Sequence, residues 1–341
     1  MSLDVVVIGP LNVDLLITGS APTNMDELRR WAGPSNVMLA AAGSAGYIVQ
    51  DLVRLELRAG VVSVLADDPF GDAVLRVLSE SGVDTIRVQR EPGTLSGIGI
   101  YMLLFGSKKR PLTYRLPTHR PWPAAFAPGD QDYLLGALHL HCAGYLHFPD
   151  MWGDRMADLF RQAKARGLST SLDPQFVLFR VDTPWMEPLV DLLRFTDLLM
   201  LDEDEARQVA QTDDLRIAAR VLSEAGPPVV VIKRGAQGSL VRAGDRTFEQ
   251  AAVTVPEEEI VESIGAGDAF DAGLIVGYLA GWPVERSAQF ATLAAASTLR
   301  GTGGTQSLAS RAELERTLLR PARPLRSTPE HNGGGEDLAG L

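Results

Sequence analysis

Cysteine is almost absent. Cys142 is the single one in 341 residues, so no intramolecular disulfide can form, which fits a reducing cytoplasm. Basic charge is also in deficit. Against 43 Asp and Glu stand 32 Lys and Arg, a formal net charge of −11. That argues against a nucleic-acid or anionic-membrane surface, since both need a basic footprint; an anionic small molecule stays open, because a local cleft can oppose the global charge. Long hydrophobic runs are missing. "VMLAAAGSAGYIV" reaches 13 residues, short of the ~18 a membrane span needs. No basic stretch precedes the apolar run of "MSLDVVVIGP", so it does not read as a secretory signal. There is no internal repeat and no G-x-x-x-x-G-K-[ST]; "VIGPLNVD" after the first apolar run lacks the lysine, which disfavours a P-loop. What remains, 45% hydrophobic and 22% charged, is the composition of a soluble globular protein, expected in the cytoplasm.

The patterning that is present is that of an α/β chain. "DVVVIG" (4–9) and "AGVVSVLADD" (59–68) are β-branched runs that read as buried strands, with apolar residues at helical spacing between them over 42–57. Residues 68–84 form the next helix, with Pro69 in its first turn and Gly82 past its end. Strand and helix alternating at this interval indicate a parallel sheet with crossover helices. Residues 94–116 break the rhythm with two extended runs around "GSKKRP"; a small β-appendage acting as a lid and an ordinary hairpin on the sheet edge both fit. The rhythm then resumes through a strand near 139, a helix around 151–166, and strands near 168–175 and 195–202, the last running into an acidic helix start. A strand, a glycine-rich turn and a second strand follow over 227–244, then helices after 265 and at 285–299. Residues 321–341, aperiodic and rich in Pro and Gly, read as a disordered tail after a single 1–320 unit.

The stretch "VESIGAGDAFDAG" (261–273) carries the chemistry. Gly265, Ala266 and Gly267 are small residues at a helix start, immediately followed by Asp268. Unpaired N–H groups and the positive end of the helix dipole make such a start an anion hole that a phosphate can approach closely. A carboxylate there could take the proton of a hydroxyl while the N–H groups hold the phosphoryl group under attack. From these residues alone, Asp268 as a first-turn acid complementing the dipole is the favoured reading.

In sequence around it, "ESIGAGDAFDAGLIVGYLAG" resembles the C-terminal signature of the ribokinase-like, or PfkB-type, carbohydrate kinases, and the resemblance runs over roughly 4–310. "GPLNVD" matches the end of the family's first strand, "AGSAGYIVQDLVRLELRAG…DDPFGD" its glycine-rich segment, helix, strand and D-x-F-G helix, and "LDPQF" the turn after a central strand. "LDEDEA" stands where the family has N-x-x-E, and "KRGAQGSL" resembles its G-x-x-G nucleotide turn. The resemblance implies a three-layer α/β/α fold with a mostly parallel central sheet and a small β-lid from about 10–40 and 90–120. It implies transfer of the γ-phosphoryl group of ATP, with Mg²⁺, to a primary hydroxyl of a sugar or related polyol. Asp268 would be the base, and Gly265, Ala266 and Gly267 the anion hole. Asn12, Asp14, Gly43 and Tyr47 would meet the substrate. Lys233, Gly235 and Gly238 would meet the nucleotide, with Asp202 and Glu205 holding waters around Mg²⁺. Members often dimerise through their lids; that property comes with the resemblance alone.

Each assignment has a plainer alternative. Asp202 and Glu205 sit in an acidic first turn that suits the dipole by itself, Gly235 and Gly238 suit a hairpin turn, Asn12 and Asp14 suit turns, and Lys233 or Arg234 reads more simply as a solvated cation. Departures from the family pattern stand out. Ala42-Gly43 replaces Gly-Gly, Tyr47 takes the place of an Asn that contacts the sugar, Asp202 replaces the Asn of N-x-x-E, and Glu262-Ser263 replaces the Asp-Thr tied to monovalent-cation binding, which puts K⁺ in doubt. All are expected to spare the base and the anion hole. The aromatic residues Tyr47, Phe105, Tyr114 and Trp122 keep a nucleoside acceptor open by stacking. Two other classes remain: a binding protein that has lost catalysis, which the intact G-A-G-D argues against, and a zinc hydrolase built on His139, His141, Cys142 and His147.

Overall fold

The computed structural model describes residues 2–19, 22–30, 35–102, 112–120, 122, 129–176 and 184–319. "GSKKRP", Phe105 and the 321–341 segment lie outside these residues. The chain opens with β1 (Val5–Ile8), β2 (Asn12–Gly19), α1 (Met25–Arg30), β3 (Ser35–Ala42) and α2 (Ser44–Arg54). It continues with β4 (Ala59–Ala66), α3 (Pro69–Glu80), β5 (Asp84–Glu91), β6 (Ile98–Met102) and β7 (Leu112–Arg115). Then come α4 (Asp130–Leu135), β8 (His139–Ala143), α5 (Asp154–Ala165), β9 (Ser169–Asp173), α6 (Val190–Leu193), β10 (Leu198–Asp202), α7 (Glu203–Ala210) and α8 (Leu215–Glu224). The last third holds β11 (Val229–Lys233), β12 (Ser239–Ala243), β13 (Arg246–Gln250), α9 (Ala266–Leu279), α10 (Val284–Thr298) and α11 (Arg311–Leu318).

Nine strands form the main sheet in the order β13-β12-β11-β10-β9-β8-β1-β4-β5. Every pairing is parallel except β11–β12 and β12–β13. The central strands are buried on both faces, as parallel sheets require, and successive residues of β1 serve opposite cores. Val5 and Val7 join the core under α2, α3, α9 and α10, while Val6 and Ile8 join the one under α4, α5, α7 and α8. This is the three-layer α/β/α arrangement. Strand order reverses between β1 and β8, and open α/β sheets bind their ligands beyond the carboxyl ends at such a point.

Residues 94–116 resolve the two sequence readings. β6 and β7 are antiparallel and belong not to the edge of the main sheet but to a second, four-stranded sheet in the order β3-β2-β6-β7. β6 lies parallel to β2, with Asp14 opposite Gly99. No helix among the described residues is long and apolar enough to cross a membrane.

Candidate active site

The carboxyl ends of three adjacent parallel strands bring the polar residues together. β9 ends on Asp173, β10 on Asp202 and β11 on Lys233, with Asp202 and Lys233 in register. Beyond them α9 begins. Its N-cap, Gly265, is left-handed at φ 72°, a conformation that favours glycine. No side chain caps this end, which leaves the helix start without the partner such ends usually recruit; the Ala266 N–H turns back to the Ser263 carbonyl oxygen at 3.3 Å. Gly267 is exposed and Asp268 half-buried. A Cβ added at Gly267 would meet only the Lys233 ammonium, at 3.8 Å.

Lys233 is not a solvated lysine. Its side chain is 15% exposed, and Nζ donates to Asp173 Oδ2 at 2.9 Å and to Asp271 Oδ1 and Oδ2 at 3.1 and 3.0 Å. Burial works against the ammonium, yet Asp173 and Asp271 outweigh it and hold its pKa well above the usual lysine range. Burial likewise opposes the charge on Asp173, but Lys233 and a hydrogen bond with Asp271 keep its carboxyl below the ordinary value. Asp271 goes the other way: burial, with Asp173 beside it, pushes it well up. Within this acid pair the environment thus favours the charge on Asp173 and the neutral form on Asp271. Asp271 stands one turn after Asp268, so Lys233 ties the start of α9 to the sheet.

Asp202 and Glu205 form a reciprocal capping box on α7. Asp202 Oδ1 accepts from the Glu205 N–H at 2.8 Å, and Glu205 Oε2 accepts from the Asp202 N–H at 2.7 Å. The helix-start reading of this pair is thus present in the structure. Asp202 is exposed while Glu205 is buried; burial first, then the charges of Asp173 and Asp202, push Glu205 up to about 8 from an ordinary 4.5. The folded protein holds this proton between those two values and the unfolded chain does not, so this group makes stability fall as pH rises from about 4.5 to 8. Thermal melts in EDTA at pH 5 and pH 8 should show a smaller pH-driven loss in Glu205→Gln than in wild type.

The turn after β11 is a short 3₁₀ helix bounded by Gly235 and Gly238, at φ 53° and 83°. A Cβ at Gly238 would fall 2.0 Å from the Gln250 carbonyl oxygen, so only glycine fits. Arg234 pairs with Glu249 at 3.1 Å.

The lid strand β2 carries two further polar residues, Asn12 and Asp14. Asn12 Nδ2 donates to Asp14 Oδ1 at 2.9 Å and the Tyr47 hydroxyl to Asp14 Oδ2 at 2.8 Å. Two glycines make room for them. A Cβ at Gly99 would lie 2.5 Å from Asp14 Oδ1, and one at Gly43 would lie 2.7 Å from Asn12 Oδ1. The Tyr47 ring faces Gly265 and Gly304; would-be Cβ atoms there lie 3.6 Å from Cδ1 and 3.4 Å from Cε1 respectively. Burial, and then the charge of Asp14 with a lesser effect of Asp268, hold the phenol well above its usual pKa. The expectation that the departures spare the anion hole is corrected here: Tyr47 packs on its first residue. Glu262 is buried, and its Oε1 accepts from the Gly303 N–H next to Gly304.

Among the described residues, His139, His141 and His147 form no metal centre. His139 and His141 do share a face of β8, and both bond Ser171 Oγ, at 2.6 and 2.7 Å. Burial pushes His139 well below its usual pKa and His141 and His147 down to about 4; Cys142 is fully buried. Among the described residues no three His, Cys, Asp or Glu side chains are arranged so that they could hold a metal ion. Trp122 is not a lid aromatic either, for it packs in the α4–α5 core with Arg155 over its ring at 5.1 Å.

A family model described as pfkB family carbohydrate kinase matches residues 3–311. This chain belongs to the pfkB family. Its members' common reaction makes it an ATP-dependent kinase of a sugar or nucleoside hydroxyl. Among pfkB relatives, a 5-dehydro-2-deoxygluconokinase of Geobacillus thermodenitrificans is 23% identical over 95% of this chain and 96% of its own. A cytidine kinase of Thermococcus kodakarensis is 26% identical over 88% and 98%. In fold the chain is similar to Arabidopsis thaliana ribokinase complexed with ribose and ATP, with a TM-score of 0.76 at 20% identity over 94% of this chain and all of that one.

Asp173, Asp271 and Gly99 escaped the sequence reading. Asp271 had a signal: it is the second acid of "GDAFDAG", three residues after Asp268, on the side of the helix that faces the sheet.

Proposed function

We propose that this pfkB kinase phosphorylates a hydroxyl, most simply a primary one, of a sugar or sugar acid. Asp268 is the base. The hydroxyl oxygen attacks the γ-phosphorus as its proton passes to Asp268; the bond to the β–γ bridging oxygen breaks, and that oxygen leaves with ADP. The first-turn N–H groups at Gly265, Ala266 and Gly267 face the charge that develops on the transferring oxygens. The observation that carries this reading is the uncapped helix start with an acid in its first turn; Asn12 and Asp14 on the lid strand are the proposed acceptor contacts.

Asp202 and Glu205 supply oxygen donors at the strand end, fitting a hard cation that keeps its waters, and Gly235 and Gly238 shape the backbone for the nucleotide. Mg²⁺, when bound with ATP, neutralises charge on the β- and γ-phosphates. Lys233 has its three donors engaged and acts by holding α9 rather than by grasping phosphate.

A sugar is favoured over a nucleoside because the Tyr47 ring is enclosed, 6% exposed, and so is spent on packing rather than offered for stacking. ADP release measured over sugars, sugar acids and nucleosides tests the reading. Turnover with a sugar or sugar acid is expected; turnover with nucleosides alone would replace the substrate class, and none with any acceptor would overturn the function.

A further inference from the structure

Helix α2 turns one face towards the segment that backs the anion hole. Tyr47, Asp51 and Arg54, at spacing i, i+4, i+7, meet Gly304, Thr305 and Leu308 in the same order. The Tyr47 ring lies on Gly304, the Asp51 carboxyl faces the Thr305 hydroxyl, and Arg54 Nε donates to the Leu308 carbonyl oxygen. Gly304 in turn sits against the hole itself: a Cβ there would lie 3.0 Å from the Ile264 oxygen and 3.4 Å from Gly265 Cα.

Asp51 is the unexpected member. It is fully buried, and neither of its oxygens, nor Thr305 Oγ1, closes a hydrogen bond of normal geometry. A buried acid left in that state is costly, and an apolar side chain would avoid the cost. Polar contacts that serve catalysis are often long in the free enzyme and tighten only in the complex. We infer that Asp51 is a positioning residue for the phosphoryl hole: its carboxyl and the Thr305 hydroxyl close on each other when nucleotide binds, seating Gly304 against Gly265 and aligning the first turn of α9. Burial, chiefly, raises the Asp51 carboxyl well above its ordinary pKa and so favours its neutral form; the Asp268 charge adds to this, while Thr305 and Arg54 oppose it. It therefore works as a neutral donor and acceptor, a part an asparagine amide can also play.

The inference rests on α9 being the phosphoryl site, and its test does not depend on turnover. Hydrogen exchange of the 303–308 amides is followed with and without MgATP in wild type, Asp51→Ala, Asp51→Asn and Thr305→Val. Exchange should slow severalfold on binding in wild type and Asp51→Asn, and stay unchanged in the other two. With an acceptor, Asp51→Ala and Thr305→Val should lose about tenfold or more in kcat at nearly constant KM, with Asp51→Asn close to wild type. If wild type binds MgATP with no slowing at 303–308, or Asp51→Ala slows as wild type does, the inference is overturned. So it is if Asp51→Asn behaves like Asp51→Ala. Should Asp51→Ala fail to fold, Thr305→Val decides by the same criteria. Slowing without turnover on any acceptor would strike the proposed function and leave this inference standing.

Discussion

Asp268→Asn should abolish nearly all turnover while leaving the protein folded and able to bind nucleotide. A positioned general base contributes roughly 10²–10⁴ in rate, and the amide cannot take the acceptor's proton. The side chain is half-buried and near-isosteric with its replacement, so stability should change by less than about 1 kcal/mol. The loss should appear in kcat with the acceptor KM little altered, since the proposed acceptor contacts, Asn12 and Asp14, are left unchanged. ADP release at saturating substrate, beside a melting curve, checks both halves. A folded variant with wild-type kcat would remove Asp268 from the base's role.

Lys233→Met should be the most damaging substitution to the fold of the site. The ammonium answers Asp173 and Asp271 together, on carboxyl side chains only 5% and 1% exposed. Removing one partner of a buried ion pair costs about 3–5 kcal/mol, because the remaining charge is left uncompensated. Asp173 would then have to take up a proton, moving its pKa from below the ordinary value to above it. Denaturant unfolding should show the loss, and it should shrink at low pH, where Asp173 is protonated in any case. A double variant, Lys233→Met with Asp173→Asn, should recover part of the stability, since the uncompensated ion is gone. It should not recover kcat, because nothing then ties Asp271, and with it the first turn of α9, to the sheet. A Lys233→Met protein as stable as wild type would show that the ammonium is not what neutralises Asp173.

The pH slope carried by Glu205 belongs to the same pocket. Three acids and one lysine share it, and burial lets few of their charges coexist.

The sequence by itself determined the layers and the ends of the elements. Period-2 and period-3.6 patterns, Pro69 and Gly82 around α3, and the β-branched runs of β1 and β4 are local facts that burial of apolar surface turns into structure. It also determined the family, through motifs kept in order along the chain, and it singled out Gly265 to Asp268 as an uncapped helix start. Tertiary structure alone decided what those residues lean on. Lys233 read as solvated because its partners, Asp173 and Asp271, come from another strand and from α9. Tyr47 read as a remote departure because Gly265 and Gly304 reach it only once α2 and α9 pack together. His139 and His141 read mainly as packing or hydrogen-bonding side chains, but their partner stayed unnamed until β9 placed Ser171 beside both. The reason is common to all three. A side chain's charge state and its contacts depend on which distant segments exclude water from it, and residue spacing along one segment does not carry that information.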